Sequence, residues 1–177
     1  MDGVRVRVSA AADAPRIIVG INAVCAEGGY FCTPCYVPTP QWEVVLHDPK
    51  GAPDYLLLVA EVGGAFIGAA RLFPSFSGSC TAELGIFLLP PFRGQGVGAA
   101  LMRELLRQAR VQGYAQIVLS VLSTNEWAIR LYRKFGFTVE GWRRQKYAFL
   151  GEQKELIMAC SLTEPNSRGA KDVQICR

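Results

Sequence analysis

The chain is poor in the residues that most often hold metals. It has one histidine, His47, among 177 residues, and six cysteines: Cys25, Cys32, Cys35, Cys80, Cys160 and Cys176. Cys32-Thr-Pro-Cys35 is a lone CxxC pair without a second pair at zinc-ligand spacing, so no metal is expected. The pair falls in a loop of glycine, proline and aromatic residues, not at the strand-to-helix junction of a redox dithiol. Reduced, packing cysteines are expected, and His47 beside Asp48-Pro49 reads as a helix-end residue. No stretch approaches the ~20 apolar residues of a membrane span. The first residues carry Asp2, Arg5, Arg7 and Asp13 where a secretion signal is apolar. A cytoplasmic location with no membrane partner is expected. Internal repeats are also lacking.

What is present is a core. Apolar residues make up 50% of the chain and charged residues 19%, a globular composition at about the length of one domain. The net charge is +4 but uneven. Between Arg93 and Lys146 ten basic residues face three acids, a local +7, leaving −3 for the remainder. That suits an anionic ligand meeting a cationic one, or a solvated basic face. The basic stretch lacks the interleaved aromatics of a nucleic-acid module, so no nucleic acid is expected.

Val4 to Val8 alternates as a half-buried strand. Asp13 is expected to cap a helix to about Glu27 that Gly28-Gly29 ends. Thr39-Pro40 starts a short helix through Leu46. Strands are predicted over Tyr55–Glu61 and Ala65–Phe73, joined at Gly63-Gly64, and over Thr81–Leu88 before Pro90-Pro91. A helix from about Gln95 to Gln112 presents Leu101, Met102, Leu105, Leu106 and Ala109 as its apolar stripe. A strand over Gln116–Leu122, a helix over Thr124–Phe135 ended by Gly136, and strands Phe137–Phe149 and Lys154–Leu162 complete it. This is one mixed α/β domain, residues 1–163, with 164–177 as a flexible tail.

The segment with most chemistry is Glu83-Leu-Gly-Ile-Phe-Leu-Leu-Pro-Pro-Phe-Arg-Gly-Gln-Gly-Val-Gly98. A buried strand feeds a glycine loop in which a helix begins, so free amides and the helix dipole meet whatever sits there. That is a phosphate cradle. A P-loop needs Lys-Ser/Thr after its glycine, but Ala99-Ala100 follows Gly98; the GxGxxG dinucleotide spacing is also unmet. Arg93-Gly-Gln-Gly96-Val-Gly98 instead matches Arg/Gln-x-x-Gly-x-Gly/Ala in full.

Strand–Leu-Pro-Pro-Phe-Arg-Gly-Gln-Gly-Val-Gly–helix resembles the acetyl-CoA-binding motif of the GNAT superfamily of N-acetyltransferases. The pattern continues in Asn125 and, seven residues later, Tyr132 within Thr-Asn-Glu-Trp-Ala-Ile-Arg-Leu-Tyr-Arg-Lys-Phe-Gly-Phe137, so the resemblance covers about residues 4–162. It implies the GNAT fold: a mostly antiparallel mixed sheet, splayed at the cofactor and flanked by about four helices. It also implies acetyl-CoA as cofactor, with coenzyme A as co-product and no metal. By resemblance, Ile86, Phe87 and Leu88 pair with the pantetheine arm, and the Leu88 N–H polarises the thioester carbonyl. Arg93, Gly94, Gln95, Gly96, Val97, Gly98 and Ala99 hold the pyrophosphate, Asn125 contacts the cofactor, and Tyr132 is the general acid. Helical geometry sets Asn125 and Tyr132 on one face ~10 Å apart along the axis. Tyr132 also reads as a core aromatic packing with Phe135.

The implied reaction is direct attack by an amine in a ternary complex. With ordinary pKa values of ~10 for tyrosine and ~8.5 for a thiol, Tyr132 is expected to act mainly as a hydrogen-bond donor unless its pKa is lowered. Some relatives carry an acid five residues before the Asn; here that is Ser120, so Glu83 is the candidate base or an exposed strand-start carboxylate. Acceptor pockets in this fold draw on the first helices and the last hairpin, here Glu27, Tyr30, Phe31, Trp42, Trp142, Arg144 and Tyr147. Glu27 could clamp a cationic amine, and Arg143 or Arg144 a carboxylate. Gly136–Arg144, with Glu155 and Met158 downstream, resembles loosely the branch acetylating amino acids, polyamines or similar small amines. Two alternatives stand beside it, a protein N-terminal acetyltransferase and a non-catalytic acyl-CoA-binding module. Homodimers are common in the family, but no residue here demands one.

Overall fold

The computed structural model describes residues 3–163 except 32 and 50. The proposed tail over 164–177 lies outside the described residues. Seven strands form one sheet in the order β1-β2-β3-β4-β5-β7-β6. They are β1 (Val4–Val8), β2 (Leu56–Val62), β3 (Ala65–Pro74), β4 (Thr81–Leu88), β5 (Gln116–Leu122), β6 (Thr138–Tyr147) and β7 (Gly151–Ser161). Every neighbouring pair is antiparallel except β4 and β5. Four helices accompany them: α1 (Ala14–Ala26), α2 (Pro40–His47), α3 (Val97–Val111) and α4 (Glu126–Lys134). This is the splayed, mostly antiparallel arrangement that the resemblance implied. No helix of the described residues is long and apolar enough to cross a membrane.

Local chemistry explains most boundaries. Gly63 and Gly64 both take positive φ (57° and 82°), the requirement of a tight hairpin turn between β2 and β3. Thr39 caps α2 by accepting from the Trp42 N–H at 3.4 Å, and His47 is that helix's last residue. On α3 the stripe Leu101, Met102, Leu105, Leu106 and Ala109 is buried while Arg103, Arg107 and Arg110 are exposed. Each large side chain of that stripe contributes about 2 kcal/mol of apolar burial.

The sheet separates two cores. On one face α3 and α4 pack over Leu58, Ile67, Leu72, Ile117 and Met158. On the other, α1 and α2 pack over Leu57, Val59, Ala69 and Phe87. β2 is buried on both faces, which is why it reads as a continuous apolar run.

Three expectations are corrected. The last hairpin turns earlier than read: β7 already begins at Gly151, whose positive φ of 67° lets the strand start directly after the turn. Cys25, Cys35 and Cys160 are free, but Cys80 is disulfide-bonded rather than reduced. Cysteine spacing does not reveal which thiols meet in space. Asp13 precedes α1 without capping it through its side chain. Its carboxylate is drawn instead to Arg7 (2.6 and 2.9 Å), Arg16 and the Ala10 N–H (2.8 Å), and Arg7 also reaches Glu61 of β2 (2.6 and 3.1 Å). This network fastens β1 and the start of α1 to the sheet.

The hydrogen bond from Arg7 holds the almost fully buried Asp13 carboxyl down to about 2, with the Ala10 N–H helping against the cost of burial. A lowered folded pKa stabilises at pH above the ordinary aspartate value, and that contribution is lost as pH falls through the folded value. Stability against thermal unfolding is therefore expected to fall by about 2 kcal/mol as pH is lowered from about 4 to about 2 through this group. Asp13→Asn should lose a similar amount at neutral pH and flatten that part of the profile. A variant as stable as the parent would show the network to be dispensable.

Candidate active site

β4 and β5 run together only at their starts. Thr81, Ala82 and Glu83 pair with Gln116, Ile117 and Val118, and there the pairing ends. β4 continues beside β3 as far as Leu88 opposite Gly68, while β5 pairs along its whole length with β7. A wedge-shaped slot opens between them with Glu83 at its apex.

Strand geometry gives the slot its hydrogen-bonding groups. The Leu89 N–H donates to the Ile67 carbonyl of β3 at 3.0 Å. Alternate residues of a strand turn their amides to opposite edges, so the Leu88 and Ile86 N–H groups point into the slot. Gly68 makes this strand position possible. A Cβ there would lie 2.5 Å from the Phe87 carbonyl oxygen and 2.6 Å from Leu88 Cδ2. The sequence reading gave Gly68 no role, and only the β3–β4 register reveals it.

At the slot's mouth the strand turns through Pro90–Phe92 into the glycine loop. Gly94 and Gly96 take φ of +71° and +81°, which L side chains rarely adopt. The first backbone bond of α3 is from the Ala100 N–H to the Gly96 carbonyl at 3.0 Å. Among the described residues, the N–H groups of Gly94, Gln95, Gly96, Val97, Gly98 and Ala99 donate to no acceptor. Unpaired amides at a helix N-terminus favour an anion. Gly98 has a different reason: a Cβ there would come 3.1 Å from Leu131 Cδ2, so its absence lets α3 approach α4. Gln95 folds back, its side-chain amide donating to the Pro91 carbonyl at 2.6 Å. The loop suits the diphosphate of coenzyme A because main-chain donors lie at its surface without side chains to block them.

Arg93, Glu27 and Tyr30, read from sequence as separate cofactor and acceptor residues, form one cluster. Arg93 Nε donates to the Leu88 carbonyl at 3.0 Å, and its two terminal nitrogens donate to the Glu27 carboxylate, both at 2.7 Å. Tyr30 lies with its ring centroid 4.5 Å from the guanidinium carbon. Its hydrogen bonds to Glu27 raise Arg93 above the usual arginine range.

Asn125 is the N-cap of α4, its side-chain oxygen accepting from the Ala128 N–H at 3.2 Å. Nearly two turns along the helix that Asn125 caps, Tyr132 is buried and packs at 5.8 Å against Phe137 rather than Phe135. Burial pushes its phenol well above the usual tyrosine range. Its hydroxyl makes no hydrogen bond to any described residue, yet it is not among the fully enclosed unpartnered atoms. The Glu83 side chain is partly buried, makes no hydrogen bond or ion pair among the described residues, and acts electrostatically on Arg71. Ser120, two residues past the last β5 position paired with β4, is exposed.

The opposite face of the slot carries a cavity lined by Ile17, Ile21, Phe31, Trp42, Leu57, Ile86 and Phe87, with Tyr36 and Arg71. Of the candidate acceptor residues, Phe31 and Trp42 line it; Glu27, Tyr30, Trp142, Arg144 and Tyr147 do not. On the last hairpin Arg143 pairs with Glu155 at 2.7 Å and Arg144 with Glu152 at 3.5 Å. Tyr147 donates to Glu155, and exposed Trp142 stacks under Lys154.

Two features that shape this cavity were absent from the sequence reading. Asn22 of α1 fixes the aromatic loop, accepting from the Tyr36 N–H at 2.7 Å and donating to the Ile18 carbonyl at 3.0 Å. Arg71 is the lone charge in Ala-Phe-Ile-Gly-Ala-Ala-Arg-Leu-Phe-Pro, the β3 strand. A solitary charge within an apolar strand was the available signal.

The sequence pattern of the acetyltransferase (GNAT) family matches residues 27–137. The chain is 31% identical over 137 residues to the L-amino acid N-acetyltransferase AaaT of Escherichia coli K12, covering 72% of this chain and 80% of that protein. It is 33% identical over 100 residues to the L-methionine sulfoximine/L-methionine sulfone acetyltransferase of Pseudomonas aeruginosa PAO1, covering 53% of this chain and 57% of that one. Several such matches thus span little more than half the length of the relative. The acetyltransferase yncA of Salmonella typhimurium, solved with its cofactor acetyl-CoA, superposes with a TM-score of 0.81 at 25% identity, covering 98% and 100% of the two chains. With the slot, the glycine cradle and this family match in agreement, the chain belongs to the GNAT acetyltransferase family.

Proposed function

We propose that this protein moves an acetyl group from acetyl-CoA to the amine of a small molecule, an amino acid or a similar amine, by direct attack in a ternary complex. The observation carrying this reading is the run of unpaired amides from Gly94 to Ala99 beside the slot that parts β4 from β5. The likeness to the amino acid acetyltransferases of Escherichia coli and Pseudomonas aeruginosa supports the small acceptor.

Acetyl-CoA, when bound, supplies an activated carbonyl and a thiol leaving group. The amides of Gly94 to Ala99 hold its diphosphate, with Arg93 at the edge of the loop, and Asn125 borders the same side. The backbone of Ile86 to Leu88 aligns the arm as an added strand would. The Leu88 N–H, turned into the slot, donates to the carbonyl oxygen where negative charge develops. Glu83 at the apex takes the proton of the incoming amine, directly or through a water. At neutral pH an α-amine (~8) is about one-tenth neutral, while a lysine-like amine (~10.4) costs over ~4 kcal/mol to deprotonate, so one carboxylate is better matched to the α-amine. Tyr132 stays neutral because burial raises its phenol, so it serves the leaving sulfur as a hydrogen-bond donor and keeps its own proton.

Thiol release from acetyl-CoA, measured against free amino acids, polyamines and short peptides, tests the reading. Turnover is expected with the small amines. Turnover with peptides alone would make the protein an N-terminal acetyltransferase, and coenzyme A binding without turnover on any amine would make it a non-catalytic acyl-CoA-binding module.

Tyr132→Phe is expected to lower kcat about 10- to 100-fold, the value of one hydrogen bond to a developing charge, with unchanged acetyl-CoA affinity. The alkaline limb of the pH–rate profile should be the same in both proteins, since this phenol does not ionise in the working range. Equal kcat values would remove Tyr132 from the mechanism.

A further inference from the structure

Arg71 is unusual among the described arginines. Its guanidinium lies inside the cavity on the α1–α2 face, 4.6 Å from the Trp42 ring centroid, 5.3 Å from Phe73 and 5.9 Å from Tyr36. Its hydrogen bond is a long one, 3.4 Å from Nη1 to the Tyr36 hydroxyl oxygen. Among the described residues no carboxylate comes within ion-pair distance of it; Arg7, Arg16, Arg93, Arg107, Arg130, Arg143 and Arg144 each have an acidic partner, and Arg5, Arg103, Arg110 and Arg133, which also lack one, are exposed to water. A guanidinium has five N–H donors in a fork that fits a carboxylate, and leaving most of them unused in an apolar cavity is costly. Burial accordingly lowers Arg71 from the usual arginine range.

The strand opposite is shaped around it. Arg71 faces Gly85 of β4, and a Cβ at that position would lie 2.9 Å from Arg71 Nε. The glycine lets the side chain lie across β4, one residue before Ile86, whose N–H enters the slot. One strand residue spans about 3.4 Å, the same order as the separation of the amine and carboxylate of an α-amino acid. Ile17, Ile21, Leu46 and Leu57 add apolar lining to the cavity, and the Glu83 carboxylate, two residues along β4 from Gly85, acts on Arg71 electrostatically without forming an ion pair.

We propose that Arg71 in its aromatic box is the acceptor-carboxylate site, which selects free α-amino acids with apolar side chains and sets their amine against the slot at Ile86. This inference rests on the acetyl-transfer reading and sharpens it. It also gives the carboxylate to a residue on β3 instead of Arg143 or Arg144, whose charges are already matched on the last hairpin.

The test compares L-leucine with L-leucinamide, which keeps the amine and the side chain but removes the negative charge. In Arg71→Gln the ratio of kcat/KM for leucine over leucinamide is expected to fall at least about ten-fold, chiefly through KM for leucine, with leucinamide nearly unchanged. A ratio equal to the parent's, in a variant that melts as the parent does, overturns the assignment and leaves acetyl transfer standing. Calorimetry on the parent gives a check independent of that variant's folding: isocaproate is expected to bind at least about ten-fold more tightly than isocaproamide. Equal affinities overturn the assignment. Preferential isocaproate binding without acetylation of any amine would instead overturn the transfer reading and leave the carboxylate site in place.

Discussion

The structure depends on two strands that stop pairing. β4 and β5 share three residue pairs and then separate, because β4 stays in register with β3 to Leu88 while β5 is held along its length by β7. Each strand satisfies its outer edge, and the inner edges are left facing one another across a gap. Buried amides without partners are costly, so a sheet that parts here is stable only if something extended fills the opening or water enters it. The free amides of Gly94 to Ala99 stand at the gap's mouth. One topological event thus creates both the groove and the run of free amides at its mouth, which the proposed function gives to a chain-like arm and its charged end.

The slot also joins two chemically different faces of the sheet. On the α3–α4 face lie the glycine loop, the Leu88 side chain, which would lie 3.6 Å from a Cβ on Gly98, and Tyr132, with its raised phenol. On the α1–α2 face lies an apolar cavity with a single guanidinium. Under the proposed function, such a division keeps donor and acceptor apart except along the line where the strands open. Glu83 stands at the closed end of that line, the last β4 residue still paired to β5. The Arg93–Glu27 pair ties the end of α1 to the cradle, so the two faces are also coupled mechanically at the open end.

Much of this was legible in the residues. The strands Thr81–Leu88 and Gln116–Leu122 fall where apolar patterning and the bounding prolines and glycines put them, and the cradle follows from glycines at a strand-to-helix junction. What was not legible depended on pairing across sequence distance. Gly68 matters only because Leu88 lies opposite, and Arg71 because Gly85 does. Asp13 looked like a helix cap because capping is a local rule, whereas Arg7 and Glu61 reach it through the sheet. The bias toward the last hairpin for acceptor contacts came from resemblance, and its arginines turn out to be matched to neighbouring glutamates.

Backbone amide hydrogen exchange with and without coenzyme A reaches the central claim most directly, since it reads the donors themselves. The account predicts strong slowing at Gly94 to Ala99 and at Ile86 and Leu88, with little change along β6 and the β6–β7 turn. Slowing elsewhere, with those amides exchanging as fast as in the free protein, would contradict it.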